Sequence, residues 1–413
     1  MNKYLTGLTI ATFSVIPALI AGESVADKPQ GIRPLKNQHL TIKPYVSLSY
    51  TYDSNVDTTR HASSDSIFCV QPGADFDWKG ENWLLEGSLW YRRNAYCEYA
   101  NEMGENSWGE SLAYKWSTSK KQDEKGWSLV LAEKYRYTDQ ADALGSGDGR
   151  GIWRDREALD ISGAIQRRFT ERLHAELMGQ YNWLDYKNDT GKYAPLYGWS
   201  EWAVGAQAGY AVSKWTDILV AGGYSHYLQK GGHGYHNYDN ESEVWTIQAG
   251  LGTHATEKIT YRLLMGMSWL EYGGRSNADA GWTYSLDANW RITRQLQLSA
   301  LGKSYYQPSE RTRGQAIKVY SLSGGLSYLT LGDKMTLTAN VAWRYEDTCY
   351  NDRYLANGND FDETILSFRL GADYIINRWM SVFAAFTWEE EWCQKGAYDY
   401  DRFRGTIGMR FHY

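Results

Sequence analysis

"DRFRGTIGMRFHY", Asp401–Tyr413, closes the chain and decides how the rest of it is read. From Phe403 onward the odd positions carry Phe403, Gly405, Ile407, Met409, Phe411 and Tyr413. The even positions carry Arg404, Thr406, Gly408, Arg410 and His412. Alternation with a period of two marks a strand whose two faces meet different surroundings. One face here is apolar and the other is mostly polar and basic. Such a strand suits a wall with hydrocarbon on one side and water on the other.

The same alternation recurs upstream from residue 40. Val46, Leu48, Tyr50 and Tyr52 form one set, and Val70, Ala74, Phe76 and Trp78 the next. Trp83, Leu85, Leu89 and Tyr91 follow, then Leu112, Tyr114 and Trp116. Later sets run from Ile259 to Trp269 and from Met335 to Tyr345. About eighteen such segments occur, and helical periodicity is nearly absent. Connections alternate in length. Lys79–Asn82, Thr170–Arg172, Ser213–Thr216, Leu331–Lys334 and Asn377–Arg378 are short. Residues 53–65, 138–154, 228–241, 346–362 and 389–398 are long and rich in Gly, Asp and Asn. The pattern predicts an all-β fold: a transmembrane antiparallel β-barrel of about 18 strands, with short periplasmic turns and long extracellular loops.

Composition points the same way. The 413 residues include 19 Trp and 33 Tyr but only 7 Pro. Mean hydropathy is −0.57, and after residue 26 no apolar run is long enough for a transmembrane helix. Trp and Tyr favour membrane–water interfaces, where one end of the side chain is apolar and the other wet. They gather at both ends of successive strands. Trp78, Trp83, Trp116, Trp127, Trp290 and Tyr328 stand beside short turns; Tyr52, Tyr91, Trp269, Trp282, Trp343 and Trp388 stand near long loops. A net charge of −6 gives no electrostatic basis for nucleic-acid binding.

The first residues supply an address. Met1–Lys3 carries one positive charge, Tyr4–Ala21 is apolar, and Ser24-Val25-Ala26 offers a small-x-small cleavage site. Residues 1–26 read as a secretory signal peptide. Residues 27–39 read as an N-terminal periplasmic tether, and residues 40–413 as the barrel. The expected location is the outer membrane of a bacterium with two membranes, in contact with its lipid. Cys69, Cys97, Cys349 and Cys393 are an even set in an exported chain, and four cysteines allow three connectivities. Pairs Cys69–Cys97 and Cys349–Cys393 on the extracellular rim are expected, with Cys69–Cys393 as the rival.

Residues on the parity opposite the apolar one would line the interior. These are Arg92, Lys115, Arg136, Arg262, Arg291, Lys303, Arg344, Arg369 and Arg404, with Asp75, Asp77, Glu86, Asp287 and Asp373 as acidic counterparts. Unpaired arginines and lysines in a water-filled pore favour anions; fully paired, they form a salt-bridge lattice that fills it. Gly-rich segments 143–151 and 231–234 are candidates to fold inward and narrow the lumen. Glu110 and Glu133 break the apolar parity, by lying above the apolar band or through a bulge.

Signs of catalysis are weak. Asp75-Phe76-Asp77 fits a lumen charge cluster, since no His stands beside it. His233-Gly234-Tyr235-His236 and Asn357–Asp362 have metal-like composition without a defined geometry. No cofactor, metal site or enzymatic activity is expected.

Two stretches carry resemblances. "PYVSLSYTYDSNV", Pro44–Val56, resembles the opening of the beta-barrel porin 2 family, whose first strand ends in Tyr-Asp-x-Asn; here Tyr52, Asp53 and Asn55 match. The resemblance implies an integral outer-membrane barrel, in some members tied to exopolysaccharide secretion. Exporters of that kind often carry a periplasmic helical-repeat domain. The sequence shows none, so export would need a separate periplasmic partner. The final strand resembles the C-terminal signature of outer-membrane barrels that the assembly machinery reads. Phe411 and Tyr413 would carry that signal, with Tyr413 in place of the commoner Phe. The leading expectation is a porin-like channel for anionic solutes or polysaccharide. A closed structural or adhesive barrel is the alternative, and an outer-membrane enzyme a third.

Overall fold

The computed structural model describes residues 39–56, 62–98, 106–118, 125–146, 150–187, 198–229, 240–253, 258–272, 278–308, 316–349, 362–393 and 399–412. They form eighteen strands. These are β1 (Leu40–Asp53), β2 (Asp65–Lys79), β3 (Trp83–Tyr96), β4 (Asn106–Ser117), β5 (Gly126–Ser146) and β6 (Arg150–Arg168). Next come β7 (Leu173–Lys187), β8 (Trp199–Ala211), β9 (Asp217–Gln229), β10 (Asn240–Gly252), β11 (Ile259–Tyr272) and β12 (Ala278–Arg291). The last six are β13 (Leu296–Pro308), β14 (Ala316–Thr330), β15 (Met335–Cys349), β16 (Glu363–Asn377), β17 (Met380–Cys393) and β18 (Tyr400–His412).

Each strand pairs antiparallel with its sequence neighbours, and β18 pairs with β1 from Tyr45↔His412 to Asp53↔Arg404. The sheet is therefore closed, which removes the unpaired edges that hydrocarbon does not tolerate. The short turns share one device. Thr170, Ser213 and Thr293 each accept, through the side-chain oxygen, from amides two and three residues on. Asn377 accepts from the Trp379 amide in the same way. The turn from Leu331 to Lys334 runs through left-handed Leu331, Gly332 and Asp333. That hand matches the twist of the strands it joins. One expected loop is not a loop. Across 138–154 the strands β5 and β6 continue to Ser146 and Arg150, making a hairpin taller than its neighbours. The two strands mix apolar and polar residues there, so the Gly-rich composition concealed the pairing.

The outward parity is apolar over a continuous band, with Leu177, Val204, Ile247, Met265 and Ile407 among its most exposed members. Trp78, Trp127, Trp215, Trp290 and Trp379 edge it on the short-turn side, and Tyr52, Trp108, Trp202, Trp282 and Phe403 on the other. No helix among the described residues is long and apolar enough to cross a membrane; the chain crosses with strands.

The inward face is not uniform. From β7 to β11 the inward residues are mostly buried, including Met178, Ala203, Leu219, Ala221, Ser225, Val244, Gln248, Leu264 and Leu270. From β16 through β18 and β1 to β3 most inward residues stay accessible. Part of the cause is a fold-over of the wall. The ladder between β12 and β13 holds only from Arg291↔Gln297 to Ser285↔Lys303. Beyond it β12 stays paired with β11 as far as Ala278, and β13 with β14 as far as Pro308. The free end of the β13–β14 hairpin turns into the barrel and lays its outward face on the inner face of β9–β12. Tyr227 Oη donates to the Tyr306 carbonyl (2.8 Å), Lys318 Nζ to Ser268 Oγ (2.6 Å), and the Ala316 amide to Tyr272 Oη (3.2 Å). Tyr227, Val244, Leu270, Tyr272, Tyr306 and Ala316 form an apolar cluster in the overlap. The upper wall is thus overlapped like a scroll. The inward-folding element is this hairpin. The sequence expectation had placed it in residues 143–151 and 231–234. The first segment is largely strand, and 231–234 lies outside the described residues.

Candidate functional site

Tyr52, Asp53 and Asn55, the residues behind the family resemblance, build the closure of the barrel. Asp53 and Asn55 are both 1 % exposed. Arg402 of β18 donates to Asp53 with Nε to Oδ1 (2.9 Å) and Nη2 to Oδ2 (2.6 Å). Such a bidentate fork fixes orientation as well as distance. The Asn55 amide donates to Asp53 Oδ1 (3.1 Å), and Asn55 Nδ2 to the Asp401 carbonyl (3.0 Å). Ser54 and Phe403 exchange bonds in both directions, the Ser54 amide to the Phe403 carbonyl and the Phe403 amide to Ser54 Oγ. The Tyr52 ring lies 5.8 Å from that of Phe403. Sequence reasoning named the motif but not its partner. The signal was available: Asp401-Arg402 opens the last strand, and a closed barrel puts its start beside the end of the first.

The residues expected to line the interior stand on the inward parity of their strands. Lys115 pairs with Glu86 (2.7 Å), and Asp77 with Lys43 (2.7 Å), a partner the sequence reading missed. Arg344 pairs with Glu346 on its own strand, and Arg92 donates twice to Gln71. Arg262 stands opposite Asp287 in the β11–β12 ladder, and Lys303 opposite Ser285 at its last rung. Arg291 is at the short-turn end, opposite Gln297. Arg136 is on β5, beside Asp160, Lys134 and Arg156. Asp75 faces Ser88, and Asp373 faces Thr336. Among the described residues no carboxylate lies within ion-pair distance of Arg369, Arg404 or Arg410. Arg410 packs instead over the inward rings of Tyr45 and Phe383. Gly73 and Gly408 leave room for those rings: a Cβ at either would stand within about 2.5 Å of ring atoms.

Glu110 and Glu133 keep the outward parity. Leu89, Glu110 and Tyr135 stand in one row, and Leu112, Glu133 and Ile161 in the next, with no bulge on β4 or on this part of β5. Lys318 also has outward parity, but the scroll turns it onto Ser268 inside the barrel.

The expected disulfides do not fit the ladder. Cys69, Cys97 and Cys393 are not joined in disulfides. Cys69 stands opposite Asn94, whereas the Cys97 amide bonds the Ser66 carbonyl. The two are three rungs apart and on opposite faces, beyond bridging geometry. Cys393 on β17 stands level with Glu363 of β16 and, across it, Glu346 of β15, three residues short of Cys349. Two strand spacings are about 9.6 Å, too far for a disulfide. Cys69–Cys393 would have to span β18 and β1. Phe411 faces outward, paired with Val46 and Met380. Tyr413 and residues 1–38 lie outside the described residues. So do His233–His236 and most of the Asn357–Asp362 segment.

A closed eighteen-strand antiparallel barrel with an apolar outer band, two aromatic girdles and a polar interior defines an integral β-barrel protein of the bacterial outer membrane. No protein-family model matches the chain, and no curated protein matches it either. Among solved structures it is similar to a mutant of the ferric enterobactin receptor PfeA of Pseudomonas aeruginosa, with 8 % identity over 90 % of this chain and 80 % of that one (TM-score 0.42). The siderophore receptor PirA of Acinetobacter baumannii gives 7 % identity over 90 % and 80 % (TM-score 0.42). The FrpB iron transporter of Neisseria meningitidis gives 12 % over 85 % and 62 % (TM-score 0.41). Values this low carry neither ligand nor partner from those proteins to this chain.

Proposed function

We propose that the protein is an outer-membrane channel for anionic solutes. One observation supports this above the others: the accessible half of the interior carries Arg369, Arg404 and Arg410 without a carboxylate in ion-pair contact among the described residues. Barrels of 16–18 strands are wide enough for water. Inward arginines out of ion-pair contact, with Asp53, Glu389 and Asp373 acting on Arg404 and Arg410 only at longer range, give such a passage a positive potential, which selects anions. The resemblance of Pro44–Val56 to the porin 2 family favours an acidic polysaccharide as the anion. A separate periplasmic partner would then deliver it, and the outer-membrane assembly machinery would insert the barrel. No residue of the interior is assigned a catalytic role.

The test is single-channel conductance in a planar bilayer with a salt gradient. The expected reversal potential is that of an anion-preferring pore. Changing Arg369, Arg404 and Arg410 together to Gln should move it toward cations while leaving assembly intact. Raising ionic strength to 1 M should blunt the preference, because screening then shortens to about 3 Å. A second reading rests on the buried inner face of β7–β11, which leaves only part of the bore accessible. Absence of conductance would favour that reading, a barrel closed for a structural role.

A further inference from the structure

We propose that the seam between β12 and β13 is a lateral gate in the barrel wall, through which the hydrocarbon tail of a single-chain amphiphile passes between the outer leaflet and the interior. The ladder here is the shortest in the barrel. It ends at Ser285↔Lys303, and the overlap beyond is held by side chains in place of a backbone ladder. The Tyr284 amide donates to Ser304 Oγ (3.0 Å), Thr283 Oγ1 to the Ser304 carbonyl (2.9 Å), and Tyr306 Oη to Asp279 (3.2 Å). Side-chain bonds of this kind open without breaking the barrel's remaining ladders. The seam lies toward the long connections, on the extracellular half.

A bolt crosses the seam on the lipid side. The Tyr284 ring lies over Gly302, where a Cβ would meet its Cε2 at 3.2 Å, and its Oη donates to the Ser321 carbonyl (3.0 Å). Trp282, two rungs higher on the same face, is 70 % exposed, more than any other large hydrophobic described.

The surfaces on both sides of this bolt are apolar. Below it, on the outer face, Ala288, Ala300 and Gly324 floor a groove of about 480 Å³ walled by Trp290, Leu298 and Leu326. A groove in the lipid-facing wall is filled by hydrocarbon as a matter of course. Behind the seam, inside the barrel, lies the apolar cluster that includes Val244, Leu270 and Tyr306. Opening the overlap joins groove, seam and cluster into one apolar path. Beside the cluster, Lys318, Ser268 and Asp279 supply hydrogen-bonding groups for a polar head. A wholly polar solute would gain nothing from such a path, and a tail with a polar head matches both parts.

The seam can be locked. The Ser304 hydroxyl accepts from the Tyr284 amide (3.0 Å), so Tyr284→Cys with Ser304→Cys sets one thiol on each side of the closed seam. The four native cysteines are changed to Ser in the same chain. In phosphatidylcholine vesicles, the full barrel is irradiated with a lysophosphatidylcholine carrying a diazirine on its acyl chain, and adducts are mapped by mass spectrometry. Reduced protein should carry adducts on Val244, Leu270 or Tyr306, and oxidation should abolish them. Labelling of those residues that oxidation leaves unchanged would mean entry by the aqueous mouth and would overturn the gate. Should the double variant not fold, the wild-type barrel decides. Adducts on the outward parity alone overturn the proposal, and Gly302→Val, which pushes Tyr284 aside, should raise labelling of the inner cluster.

Discussion

Replacing Asp53 by Ala should destabilise the barrel by an amount that separates a buried clasp from an ordinary rim ion pair. The Asp53 side chain is 1 % exposed and that of Arg402 12 %, so solvent screens the pair little. Removing the carboxylate takes the bidentate acceptor from the guanidinium in a dry site and the Asp53 oxygen from the Asn55 amide. Breaking one side of a buried pair costs about 3–5 kcal/mol. At about 1.4 kcal/mol per tenfold, that is roughly two to three and a half orders of magnitude in the folding equilibrium. The assay is urea unfolding in phosphatidylcholine vesicles, followed by tryptophan fluorescence. A double variant, Asp53→Leu with Arg402→Met, should recover most of the loss, because an apolar pair of similar volume carries no stranded charge. A loss below about 1 kcal/mol in Asp53→Ala, the size seen for exposed pairs, would refute the clasp.

Other outcomes follow from the ladder. Gly266→Ala places a Cβ 1.9 Å from the Ile247 carbonyl oxygen, so the backbone itself must shift. A cost of about 3 kcal/mol is expected by the same urea assay, at the upper end for overpacking. Deleting Phe411–Tyr413 removes rungs that β18 shares with Val46 and Met380. Heat-modifiable, protease-resistant barrel should then disappear from membranes, and normal levels of it would contradict this. Peptide mapping without reductant should find no Cys69–Cys97 and no Cys69–Cys393 bond; either bond would show that the register assigned to β2 and its neighbours is wrong.

The strand count and the direction of most side chains were legible in the sequence for one physical reason. Most residues facing lipid are apolar or aromatic, so the period of two survives in strand after strand, as in Ile259–Trp269. Closure was legible from the last strand. The scroll was not recognised, although its marks are visible in retrospect. Ser304, Pro308, Ala316 and Lys318 sit on the lipid-facing parity of β13 and β14, where the rest of the barrel places larger apolar groups. A lysine on that parity meant that the surface there does not face lipid. Cysteine pairing failed because hairpin proximity was weighed without the rung-by-rung register, which sets both distance and face. The Asp53–Arg402 fork was missed because its partners are separated by 349 positions in sequence.

The overlap has a mechanical consequence. Where the β13–β14 hairpin backs β9–β12, the wall is two sheets thick, and among the described residues it is one sheet thick from β16 through β18 to β3. A double layer resists bending far more than a single sheet. When the bilayer thins or lateral pressure rises, the cross-section should therefore deform on the single-layer arc from β16 through β18 to β3. The Asp53–Arg402 fork lies at the middle of that arc, where flexing loads the junction of the first and last strands most heavily.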